Sequence, residues 1–202
     1  MTWSEVTVAI TAALLVTVWL VWVQASRLDR LHRKVGSSRA ALDNQLVRRA
    51  SAAAELAASG LMDPVSSVLV GEAAWRALLA GSVDADAPVG GLDVHVPLGD
   101  AEHAERDLAE SELSATVRAA LEEPDEVAAL RAEPYGAELL DALQAAWYRV
   151  TLARRFHNEA VAQTRRVRRK VVVRVLRLQG RAPLPATVEI DDAMPDALGE
   201  HR

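Results

Sequence analysis

Apolar residues follow two rhythms along this chain. Val6 to Val23 is a continuous uncharged run of eighteen residues, broken in polarity only by Thr7, Thr11 and Thr17. From Leu28 the apolar positions space out. Leu31, Val35, Leu42, Leu46, Ala50, Ala53 and Leu56 recur about every 3.5 residues, with a gap at Gly36-Ser37-Ser38, as one buried helix face requires. Near the other end, Leu139, Leu143, Trp147, Val150, Ala153, His157, Ala160, Thr164, Val167 and Val171 line one side of a second long helix.

As a helix the first run spans about 27 Å, close to the hydrocarbon thickness of a bilayer. Trp3 precedes it and Trp19 and Trp22 close it, which matches aromatic belts at the two interfaces. Residues 1–24 are therefore predicted to be a retained transmembrane anchor. A cleaved signal peptide would need a basic start, whereas Met1 to Glu5 holds an acid and no base. Arg27, Arg30, Arg33 and Lys34 follow the run directly, so the positive-inside rule places the carboxy-terminal domain in the cytoplasm of a single-pass cell-membrane protein.

Prolines and glycines punctuate the remainder. The first helix is expected to continue out of the membrane and to end near Gly60, a residue suited to the position after a helix. Asp63-Pro64, a cap followed by a first-turn proline, opens a second helix running to about Ala80. Residues 81–99 are rich in glycine and proline and form a loop. Asp100 caps a third helix that ends near Glu123-Pro124. The fourth begins at Asp125 or after Pro134 and runs to about Leu178. The pattern predicts an all-α fold, an amino-terminal transmembrane helix continuing into an up-and-down four-helix bundle over residues 25–178. A proline-containing acidic tail follows over residues 179–202.

Charge adds a second layer. The net charge of −5 conceals a −10 block over residues 100–141 beside a +10 block over residues 142–181. Two helices facing each other by charge would explain the pair, and two separately solvated faces would do so equally. The basic block culminates in Arg165, Arg166, Arg168, Arg169 and Lys170, followed by Arg174 and Arg177 with valines and leucines between. A basic amphipathic helix of this kind suits an anionic lipid surface or a protein partner. Nucleic acid is disfavoured, because no aromatic residues interleave the bases and the whole chain is acidic.

Three stretches go beyond periodicity. Leu42-Asp43-Asn44-Gln45-Leu46-Val47-Arg48-Arg49, Glu112-Leu113-Ser114, and Arg149 to Val161 with Arg154, Phe156, Asn158 and Glu159 at its centre occur in this order after a single apolar span. Together they resemble the LemA family. Asp43, Gln45, Leu46, Arg48, Arg49, Arg154 and Asn158 are the residues that carry the resemblance, with His157 where that family usually has tyrosine. The resemblance implies a bacterial-type helical bundle anchored by its amino terminus and no catalytic activity. Polar residues such as Asp43, Gln45 and Asn158 close to apolar helix positions must hydrogen-bond when buried, and so fix the register of packed helices.

The expected role is an interaction or scaffold module with membrane lipids and a protein as partners, self-association among them, and no cofactor. Zero cysteine excludes disulfides, thiolate metal sites and cysteine nucleophiles. No Gly-x-Ser-x-Gly, Gly-x-Gly-x-x-Gly or Walker sequence occurs. The reading from another class is a membrane-tethered metal-dependent hydrolase. It would use His95 and His103 with Asp93, Asp100, Glu102 and Asp107, although no second histidine lies four residues after His103.

Overall fold

A computed structural model describes residues 3–82, 100–171, 173 and 184–199. Among them are the helices α1 (Trp3–Ala58), α2 (Pro64–Ser82), α3 (Asp100–Ala120), α4 (Pro124–Ala132), α5 (Pro134–Arg168) and the short α6 (Asp196–Gly199), and no strand. The fold is all-α. The predicted fourth helix is two helices, since both of its candidate starts are used: Pro124 opens α4 and Pro134 opens α5. Gly136 permits this corner. A Cβ there would lie 2.2 Å from the Leu130 carbonyl oxygen, closer than any side chain can approach backbone. Starting at Pro134 and not at Asp125, α5 is about 52 Å long over Pro134–Arg168.

The chain divides into two compact units, Met1–Arg39 with Phe156–Thr187, and Ala40–Arg155 with Val188–Arg202. The first contains the start of α1. An apolar window there, of mean hydropathy 2.4 and entirely unburied, makes α1 the one described helix long and apolar enough to cross a membrane. The hydroxyls of Thr7, Thr11 and Thr17 donate to the carbonyls of Trp3, Thr7 and Ala13 at 2.8, 2.9 and 2.8 Å. The three threonines that interrupt the run thus present no unbonded hydroxyl proton, which a lipid surroundings would penalise. Beyond the window, Leu28 is buried with Val167 and Val173, and Leu31 packs against them. Ser38 meets His157 at 3.1 Å, so α1 and α5 run antiparallel within this unit.

The second unit holds the main core. At the end of α1, Gly60 takes φ +72°, the left-handed conformation that glycine adopts without strain. Asp63 then caps α2, its Oδ1 accepting from the Val65 and Ser66 amides at 2.9 and 3.1 Å. A Cβ on Gly71 would sit 3.8 Å from that of Ala57, and one on Gly81 would sit 3.7 Å from Val47. The chain therefore reverses at Gly60 into an α1–α2 hairpin and does not merely kink. Leu56, Ala74, Leu113, Leu140 and Trp147 are central to the core that α1, α2, α3 and α5 share.

The segment expected to be an acidic tail is built into this unit. Val188 and Ile190 are buried with Leu42, Leu46 and Val150, and Leu198 is buried in the main core. Residues 188–195 lie extended as a strap held by hydrogen bonds from α3 and α5.

Candidate functional site

Two groups of arginines stand out, one in each unit. In the second unit, Arg49 sits on the buried face of α1 four residues before Ala53 and is 0% exposed. Its Nη2 donates to Glu110 Oε2 at 2.7 Å and to the Glu110 carbonyl at 3.0 Å, and its Nη1 donates to Ser114 Oγ at 2.9 Å. The guanidinium lies 4.8 Å from the centre of the Trp147 ring, close enough for a cation–π contact. Glu110 is 1% exposed. Burial pushes its carboxyl above the ordinary range, and the guanidiniums of Arg49 and Arg106 oppose that rise.

The strap closes over this node. Ser114 Oγ is 2.6 Å from the Asp191 carbonyl and 3.0 Å from that of Glu110, two acceptors for one proton. Trp147 Nε1 donates to the Asp192 carbonyl at 3.0 Å. Arg154 grips the Asp192 carboxylate through Nε and Nη2 at 2.9 and 2.8 Å, a bidentate charge-assisted pair. Arg118 pairs with Asp191, whose carboxyl is held below the usual carboxylate range chiefly by that bond. On the other side, Asp43 pairs with Arg106 at 3.2 Å.

Individual members of the charge blocks have partners of their own. Glu110 pairs with α1 and Glu112 with Arg76 of α2, at 3.1 Å, while Arg154 of α5 pairs with the strap.

In the first unit the basic end of α5 lies beside the part of α1 that follows its apolar window, where Val167 packs with Leu28. Arg166, Arg169 and Lys170 are exposed there, as are Arg27, Arg30, Arg33 and Lys34 of α1. Two of the basic residues expected at a surface are occupied elsewhere: Arg165 Nε donates to the Pro185 carbonyl at 2.9 Å, and Arg168 is buried. His32 lies nearby. Its imidazole is pushed below the ordinary histidine value by burial and by the charge of Arg168, against the pull of Asp29.

The other sequence-selected residues are scattered. Leu46 is buried, Gln45 and Asn158 are half-buried and Arg48 is exposed. Trp3, Trp19 and Trp22 are exposed along the apolar part of α1. His157 is buried between Ser38 and the Ala186 carbonyl, 3.4 Å from its Nε2. His103 is half-buried on α3, whereas His95, Asp93, Arg174 and Arg177 lie outside the described residues. Among the described residues no three His, Asp or Glu side chains are grouped to hold a metal. Sequence reasoning passed over Arg106, Glu110, Asp191 and Asp192, and gave Trp147 only a place on the apolar side of its helix. A signal existed for the first two, because Arg106 and Glu110 fall on the same side of α3 as Leu113, Val117 and Leu121. A charged pair on an apolar stripe marks a buried ion pair.

Comparison with family models, curated proteins and solved structures yields no match.

Proposed function

We propose that this chain is a single-pass membrane protein of LemA type, whose cytoplasmic helical domain is an interaction module without a reaction of its own. In this reading residues 1–24 remain in the cell membrane and the exposed bases at the end of α5 rest on anionic headgroups. One observation carries the lipid contact: Val167 packs on Leu28, only five residues past the apolar run, so Arg166, Arg169 and Lys170 join Arg27, Arg30, Arg33 and Lys34 at one level along α1. Each such base near an anionic surface contributes on the order of 1 kcal/mol. The buried Arg49 node supports a structural role for the residues shared with the LemA pattern, because its polar groups face one another and no open cleft.

The test uses the full chain in nanodiscs of neutral or anionic phospholipid, digested with trypsin. Cleavage at Arg166 to Lys170 should be about tenfold slower in anionic discs, with molar salt restoring the neutral rate. Equal rates in both lipids would refute the lipid contact. An added protease that reaches a carboxy-terminal tag from outside intact spheroplasts would refute the orientation.

A further inference from the structure

α2 buries Val70, Ala73, Ala74 and Ala77 against the core, and α3 packs along it. Its opposite side is equally apolar. Val65 and Val68 are 68% exposed, Leu69 53%, Trp75 61% and Leu79 48%, all within one helix of nineteen residues. Their spacing places them on a single face that runs from Trp75 at one edge through Val68, Leu79 and Val65 to Leu69 at the other. The only charges on that face are Glu72 and Arg76, and these neutralise each other at 2.6 Å, with Arg76 also anchored to Glu112. A helix that is apolar on both sides is normally covered on both. α2 is not itself apolar enough to be a membrane span.

We propose that a second copy of this chain covers this face, α2 packing on α2 about a two-fold axis. The five side chains offer on the order of 500 Å² per copy, so a symmetric pair buries about 1,000 Å², the lower bound for a specific interface. Two further features select a copy of the same chain. An isologous contact brings each charge near its own equivalent, which repels unless the face is internally neutral, and this face is. Trp75, 61% exposed at one edge of the face, is the residue type that most often anchors such an interface. The contact stands without the lipid reading. If α1 is an anchor, confinement of both copies to one membrane raises their effective concentration further.

The experiment measures the mass of the full chain in detergent micelles and in nanodiscs, with Val68→Glu/Leu79→Glu as the variant. Both positions are exposed, so circular dichroism and melting temperature should match the parent. The parent should be a dimer, and the variant should dissociate about 100-fold more readily. Because the chain has no cysteine, Val68→Cys and Trp75→Cys, alone or mixed, should form oxidised dimers, while Tyr148→Cys on α5 should not. A monomeric parent, a variant that stays dimeric, or crosslinking equal at Tyr148→Cys would each overturn the proposal. So would a variant of unchanged mass that loses trypsin protection in anionic discs, since that result assigns the face to the bilayer.

Discussion

Arg49 and Arg169 sit on the same two long helices' worth of apolar pattern, yet they experience opposite surroundings. Arg49 is sealed from water, its two terminal nitrogens bonded to Glu110 and Ser114 beneath the Trp147 ring. Arg169 projects into solvent one residue past the end of α5. A buried guanidinium requires acceptors fixed in advance, so its neighbours are constrained to their residue types. An exposed one requires only that similar charges be near, so the basic end of α5 works as a sum. The difference teaches that charge count describes the second region and says nothing of the first, where a single arginine organises three helices and a strap.

The sharpest way to break this contrast is Arg49→Leu. It strands the Glu110 carboxylate in the core and should cost about 3–5 kcal/mol in urea unfolding. The loss should depend on pH. The folded-state pKa of Glu110 is already raised by burial, and losing Arg49 raises it further. Stability tied to a raised carboxyl is present below its unfolded value and disappears as pH climbs through the folded one. The variant should therefore regain stability as pH falls from about 8 to about 5. A pH-independent loss would mean that Glu110 is not the stranded group. Arg154→Gln should follow, at about 1–2 kcal/mol, because the bidentate hold on Asp192 is only partly buried. Its marker is faster proteolysis within residues 184–195.

Removing three charges from the other region should do far less to stability. Arg166→Gln/Arg169→Gln/Lys170→Gln should shift unfolding by no more than about 0.5 kcal/mol, while cleavage of that segment by proteinase K, which needs no basic residue, becomes equal in neutral and anionic nanodiscs. The smallest effect belongs to His32. Its pKa is lowered in the folded state, so its contribution is present above the unfolded value near 6.5 and is lost as pH falls. His32→Gln should flatten that part of the melting profile slightly, and a steeper profile would contradict the assigned direction.

Local chemistry was legible in the sequence. Gly60 and Asp63-Pro64 specify a helix end and a helix start through backbone conformation and capping, and the structure uses each residue in that way. Leu42, Leu46 and Leu56 were identifiable as core from spacing alone. The misreadings share a physical cause, which is that pairing over long range leaves little local trace. Block totals do not name individual partners, because Coulomb pairs form between single side chains at about 3 Å, and Glu110, Glu112 and Arg154 find theirs in α1, α2 and the strap. The strap itself has a proline, little helix propensity and three acids, all signs of a solvated tail. Only the alternation Val188-Glu189-Ile190, buried, exposed, buried, hints that it packs as an extended segment.

The strap is held largely by its main chain. Arg118 donates to the carbonyl of Ala193, Ser114 to that of Asp191 and Trp147 to that of Asp192. Every residue supplies a carbonyl, so these three bonds place almost no demand on which amino acids the strap contains. The information that fixes its path resides in the helices that read it, apart from two aspartates and three apolar positions. Such a segment is free to drift in spelling across evolution while keeping its course. In an alignment it would look like a spacer, although the core beneath it depends on its being there.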